Sequence, residues 1–102
     1  MLYFIPLLIK LLKLERFECR GLTAGEIALC RTVFGGLIDY SQVKIMNHPY
    51  LPWQARHVIM APCGAIHARP PNYSRDYSAE SSAFQGLFIH EMAHIYQYQQ
   101  NI

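Results

Sequence analysis

Paired cysteines are missing from this chain. Cys19, Cys30 and Cys63 are odd in number, widely spaced and form no C-x-x-C, which argues against a disulfide framework or a cysteine-built zinc site. They read as small core residues of a protein from a reducing compartment. Charge is scarce as well. Asp, Glu, Lys and Arg make up 16% of 102 residues, hydrophobic residues make up 52%, and the net charge is +2. That balance excludes a solvated, disordered chain. The basic residues are scattered, so no nucleic-acid-binding face is defined. There is no internal repeat or low-complexity stretch, and the length allows one domain at most.

A bilayer-crossing run is also lacking. The most apolar stretch, Met1 to Leu14, is interrupted by Lys10 and Lys13 and is too short to span. Its positive charge follows the apolar residues, the reverse of a signal peptide. On a helical wheel Lys10, Lys13, Arg16 and Arg20 share one stripe, which allows an amphipathic helix on a core, a partner or a membrane surface. The core-covering reading is preferred, and membrane contact by residues 1–14 is not favoured.

What the chain does have is Phe88-Ile89-His90-Glu91-Met92-Ala93-His94, an H-E-x-x-H in a helix-compatible run. Residues i and i+4 stack on one face of a helix, so His90 and His94 aim two imidazoles at one point. Glu91 leaves the helix beside them. Two metal ligands and a general base from one turn is the zinc-peptidase arrangement. The bland alternative is a pair of surface or satisfied histidines beside a solvated glutamate.

Upstream, Thr23 and Glu26 have capping-box spacing and start a helix, and Gly35-Gly36 ends it. Leu37, Ile38 and Tyr40 are expected to pack under the next segment. Val43–Met46 alternates and suits a short strand. Two prolines fix the loop His48 to Trp53, with Trp53 as a core anchor. His57–Ala61 and Ala65–Arg69 flank Pro62-Cys63-Gly64 and read as a β-hairpin. Pro70 to Ala79 looks like an exposed connection. Ser78, Ser81 or Ser82 can cap the motif helix, whose apolar stripe runs through Phe84, Leu87, Phe88 and Ile95 to about Gln99. The fold expected is α+β and zincin-like, with helices packed on a small antiparallel sheet and the H-E-x-x-H helix at the C-terminal end. Residues 1–20 form an apolar N-terminal segment and residues 21–102 the domain.

A catalytic zinc takes three protein ligands and keeps one position open, and only two are evident. Gln97 and Gln100 stand where the metzincin extension needs Gly and His. His48, His57, His67, Asp76 and Glu80 are upstream candidates, each more ordinary as a strand-face, loop or first-turn residue. Tyr96 and Tyr98 could donate to an oxyanion, but tyrosines at a helix end more often pack.

Three segments in this order carry a resemblance: Leu22–Glu26 with Val33-Phe34-Gly35, Ile38–Ile45, and Gly86–His94 followed by Gln97. Together they resemble a bacterial H-E-x-x-H domain family of Vgr-related and Rhs-type proteins, which accompany type VI secretion spikes and other contractile injection systems. The likeness spans roughly Leu22 to Gln99. It implies zinc on His90 and His94, Glu91 as catalytic base, a protein or peptide substrate, and a bacterial cytoplasmic protein exported by a contractile system. Family members continue past the motif with a helical stretch carrying a glutamate. The sequence therefore reads as the front part of such a domain, with self-association through uncovered apolar surface expected. The alternative is a catalytically incomplete module that docks on a secretion-spike or effector partner.

Overall fold

Helix formation starts where the chain supplies its own cap. In the computed structural model, which describes residues 18–48, 59–70 and 72–101, helix α1 spans Ala24–Phe34. The Thr23 hydroxyl accepts from the Glu26 N–H at 3.1 Å, and a Glu26 oxygen accepts from the Thr23 N–H at 2.9 Å. The capping box is thus complete and satisfies two donors that a helix start leaves open. Gly35, at φ 58, ends the helix in a conformation that costs glycine little. Helix α2 spans Ser82–Gln99, capped by Ser81.

Four short strands accompany the helices: β1 (Cys19–Arg20) before α1, and β2 (Lys44–Met46), β3 (Ile59–Met60) and β4 (Ala65–Ala68) between α1 and α2. They form one sheet in the order β1-β2-β4-β3. The expected hairpin is present, β3 and β4 pairing antiparallel with Met60 opposite His67. The sheet is not antiparallel throughout. β2 and β4 run parallel, with Ile45 opposite Ile66, while β1 pairs antiparallel with β2. The hairpin folds back so that its second strand, rather than its first, lies beside β2, which puts β3 on the outer edge. Arg20, read from the sequence as part of a helical stripe, instead sits in β1.

One face of this sheet closes the core. Ile45, Ile66 and Ala68 are buried, and Phe88, Met92 and Ile95 of α2 are buried with them. Those three fall at i, i+4 and i+7, the spacing of one helical face. Cys30 fills the α1 side of the same core, and burial pushes its thiol up to about 12. Cys19 and Cys63 are exposed, so the core role expected of all three cysteines holds for one. Ile38 and Tyr40 pack as expected, but Leu37 is exposed.

The connection through residues 70–79 also departs from expectation. Tyr77 begins a short 3-10 turn, Tyr77–Ala79, and is fully buried. Its ring stacks on Phe88 with centroids 5.3 Å apart, so this connection docks α2 rather than merely reaching it. Among the described residues no helix is long and apolar enough to cross a membrane. Met1–Leu14, His57 and Trp53 lie outside the described residues.

Candidate functional site

The buried stripe of α2 decides where the motif residues go. Phe88, Met92 and Ile95 take the core, which turns His90 and His94 outward, where both are exposed. Glu91 falls between the core stripe and the histidines and is 5% exposed. Burial raises its carboxyl above the ordinary value, and the neighbouring His90 and His94 pull it partly back.

The two imidazoles meet edge to face, with ring centroids 5.0 Å apart and planes at 85°. Two imidazoles sharing one tetrahedral zinc through nitrogens at ordinary bond lengths would have ring centres roughly 5 Å apart. The separation of the two rings is thus of the size that a shared cation would require. His94 Nδ1 lies 3.2 Å from Gln97 Oε1, which leaves Nε2 as the nitrogen available to a ligand. Ile59, Met60, Ala61 and Pro62 form the opposite wall of a shallow groove of about 300 Å³ over His90, Glu91 and His94. Edge strand β3 thus runs alongside the motif. The groove wall has no signature of its own in the sequence beyond the apolar hairpin.

The other ligand candidates that fall among the described residues are engaged elsewhere. The Glu80 carboxylate accepts from the Ser74 hydroxyl at 3.0 Å. Glu80 ends the Tyr77–Ala79 turn, before α2 begins, and does not line the groove over the histidines. Asp76 accepts from the Thr23 hydroxyl at 3.0 Å and the Ser78 hydroxyl at 2.6 Å. His67 alternates with the buried Ile66 and Ala68 on β4, so it points to the face away from α2. Burial lowers its pKa, offset by a backbone hydrogen bond at His48, which places His48 beside His67. Tyr96 packs on Phe34, with ring centroids 6.4 Å apart, and Tyr98 lies against Gly64; neither lines the groove. Among the described residues, no group of three or more His, Cys, Asp or Glu side chains is arranged to hold a metal ion.

A second polar cluster, of which motif reading shows only the Thr23–Glu26 cap, lies where β1, α1 and the Tyr77–Ala79 turn meet. Glu26 is fully buried. Arg20 grips it with two hydrogen bonds of 2.8 and 2.9 Å, and the N–H groups of Thr23 and Tyr77 add two more, at 2.9 and 2.8 Å. Arg20 also donates to the Ser74 carbonyl at 2.7 Å. Glu26 accordingly ties β1, α1 and the turn beneath α2 into one unit.

Comparison with known proteins agrees with this architecture. The effector domain of Pseudomonas aeruginosa VgrG2b superposes with a TM-score of 0.78 at 45% sequence identity, covering 81% of this chain and 47% of that one. The type VI secretion system spike protein VgrG2b of the same organism is 45% identical over 84 residues, 81% of this chain. The chain spans about 8% of that spike protein's length. No family model matches. The chain is thus a small α+β fold similar to part of the effector domain of VgrG2b.

Proposed function

We propose that the chain is an effector-type module of the type VI secretion kind that holds zinc between His90 and His94 and carries Glu91 as the base of a peptide-bond hydrolase. One observation carries the reading: the edge-on pair of imidazoles 5.0 Å apart, with a buried carboxylate beside them in the groove under β3. Zinc held there would supply a Lewis acid for a scissile carbonyl and acidify water. Glu91 would accept the proton of the attacking water at a carboxylate oxygen and pass it to the departing amine nitrogen. Its burial supports that role, because a desolvated carboxylate is a stronger base. Among the described residues no strand pairs with the outer edge of β3, and an extended peptide could add there beside the groove.

Two imidazoles are short of the three protein ligands that a catalytic zinc takes. In this reading the third comes from outside the described residues or from a partner chain, and peptide hydrolysis depends on it. A second reading is favoured by the lack of a three-ligand group among the described residues: a docking module for a spike or effector partner that retains the peptidase-like helix without turnover.

The deciding experiment incubates zinc-loaded protein with an unfolded protein substrate, next to Glu91→Gln. Cleavage by the native chain that is lost in Glu91→Gln supports the hydrolase. One zinc per chain without cleavage supports the docking module. Zinc uptake unaffected by replacing both histidines contradicts the site in either form.

A further inference from the structure

We infer that Gln97 is a positioning residue that holds His94 in the tautomer able to bind a cation; this inference rests on the proposed metal reading. His90, His94 and Gln97 fall at i, i+4 and i+7 on α2, one stripe of the helix surface. Gln97 Oε1 lies 3.2 Å from His94 Nδ1. An amide oxygen can only accept, so with it facing the ring the shared hydrogen resides on Nδ1. The lone pair is then on Nε2, the nitrogen left over for a ligand. A free neutral imidazole favours the opposite tautomer, with hydrogen on Nε2, which cannot ligate through that atom. Metal-binding histidines are commonly oriented by an acceptor on the far ring nitrogen. Here the acceptor comes from the same helix, one turn on, and needs no other element to place it.

His90 differs. Among the described residues its ring makes no hydrogen bond, and it packs edge to face with the His94 ring instead. Orientation of the pair therefore passes from Gln97 to His94 and from His94 to His90. An ordinary surface glutamine would have no such consequence, and three substitutions separate the two roles. Gln97→Ala and Gln97→Met remove the acceptor, the second while keeping most of the side chain's length. Gln97→Glu keeps an acceptor.

The test has two readouts, neither of which is activity. Nitrogen-15 NMR of the histidine rings in metal-free protein reports the tautomer, and calorimetric titration with zinc chloride reports affinity. Circular dichroism melts check that each variant folds. The expected result is His94 protonated on Nδ1 in the native chain, a shift toward the Nε2–H form in Gln97→Met and Gln97→Ala, and zinc binding weakened about 10-fold in both. Gln97→Glu restores both readouts. Native His94 protonated on Nε2, or equal zinc affinity in native and Gln97→Met, overturns the inference and leaves the two-histidine reading standing. A native chain that takes up no zinc overturns both.

Discussion

Arg20 and Glu26 form a two-pronged ion pair, at 2.8 and 2.9 Å, with the Glu26 side chain wholly out of solvent. Its value lies less in the charge attraction, which desolvation largely offsets, than in what the carboxylate also accepts. The N–H groups of Thr23 and Tyr77 both end on it. Removing Glu26 strands those donors and leaves a half-buried guanidinium facing a void. Glu26→Ala should destabilise by about 3 kcal/mol, read as a lower urea midpoint with unchanged slope. A loss below about 0.5 kcal/mol, the range of an ordinary surface substitution, would contradict the account.

Tyr77 and Phe88 stack almost in parallel, at 7°, and tie that network to the motif helix. Both are buried, so Phe88→Ala should cost about 3–5 kcal/mol. Tyr77→Phe keeps the ring and loses only the hydroxyl's 2.7 Å bond to the Asn72 carbonyl, a change of about 1 kcal/mol. Equal losses in the two variants would mean that the stacking contributes little.

Gly25 sits in the first turn of α1, and a Cβ there would overlap the Ser78 hydroxyl and lie 3.1 Å from the Ser78 Cβ. The helix start and the Tyr77–Ala79 turn are therefore in direct contact. Gly25→Ala should destabilise by about 1–3 kcal/mol, although alanine is the better helix former. A gain in melting temperature would show that the contact relaxes without cost.

Asp76 gives the pH dependence a definite sign. The Ser78 hydroxyl, and after it the Thr23 hydroxyl, hold its carboxyl below the usual carboxylate value. Glu18 is lowered likewise, by Arg75 and then Tyr73. A lowered carboxylate takes up a proton less readily in the folded chain than in the unfolded one. Its contribution is thus in full force above the unfolded value of about 4 and disappears as pH falls through the folded value. Native protein should lose stability steadily below about pH 4, and Asp76→Asn should flatten that decline. Identical acid profiles for the two proteins would remove Asp76 from the account.

Local chemistry was legible in the sequence, and distant pairing was not. The Thr23–Glu26 box and the Gly35 stop depend on residues within four positions and appear as expected, and Ser81 is the one of three candidate serines that caps α2. The hairpin followed from two β-like runs about a turn. The parallel match of β2 with β4 joins segments about twenty residues apart and leaves no periodic trace. Tyr77 was hidden because tyrosines in a polar stretch that opens with two prolines look like loop residues. Glu26 was legible as a cap and illegible as a hub, since its partners Arg20 and Tyr77 meet it only in the fold. At the site, spacing placed His90, Glu91 and His94 together, while the β3 wall needed the sheet order to be known.

The central claim is that His90 and His94 share one divalent cation. Isothermal titration of metal-free native protein with zinc, beside His94→Ala, addresses it most directly. The account predicts one site per chain in the native protein and its loss, by at least about 10-fold in affinity, when His94 becomes alanine. No zinc uptake by the native chain, or equal uptake by the two proteins, would contradict it.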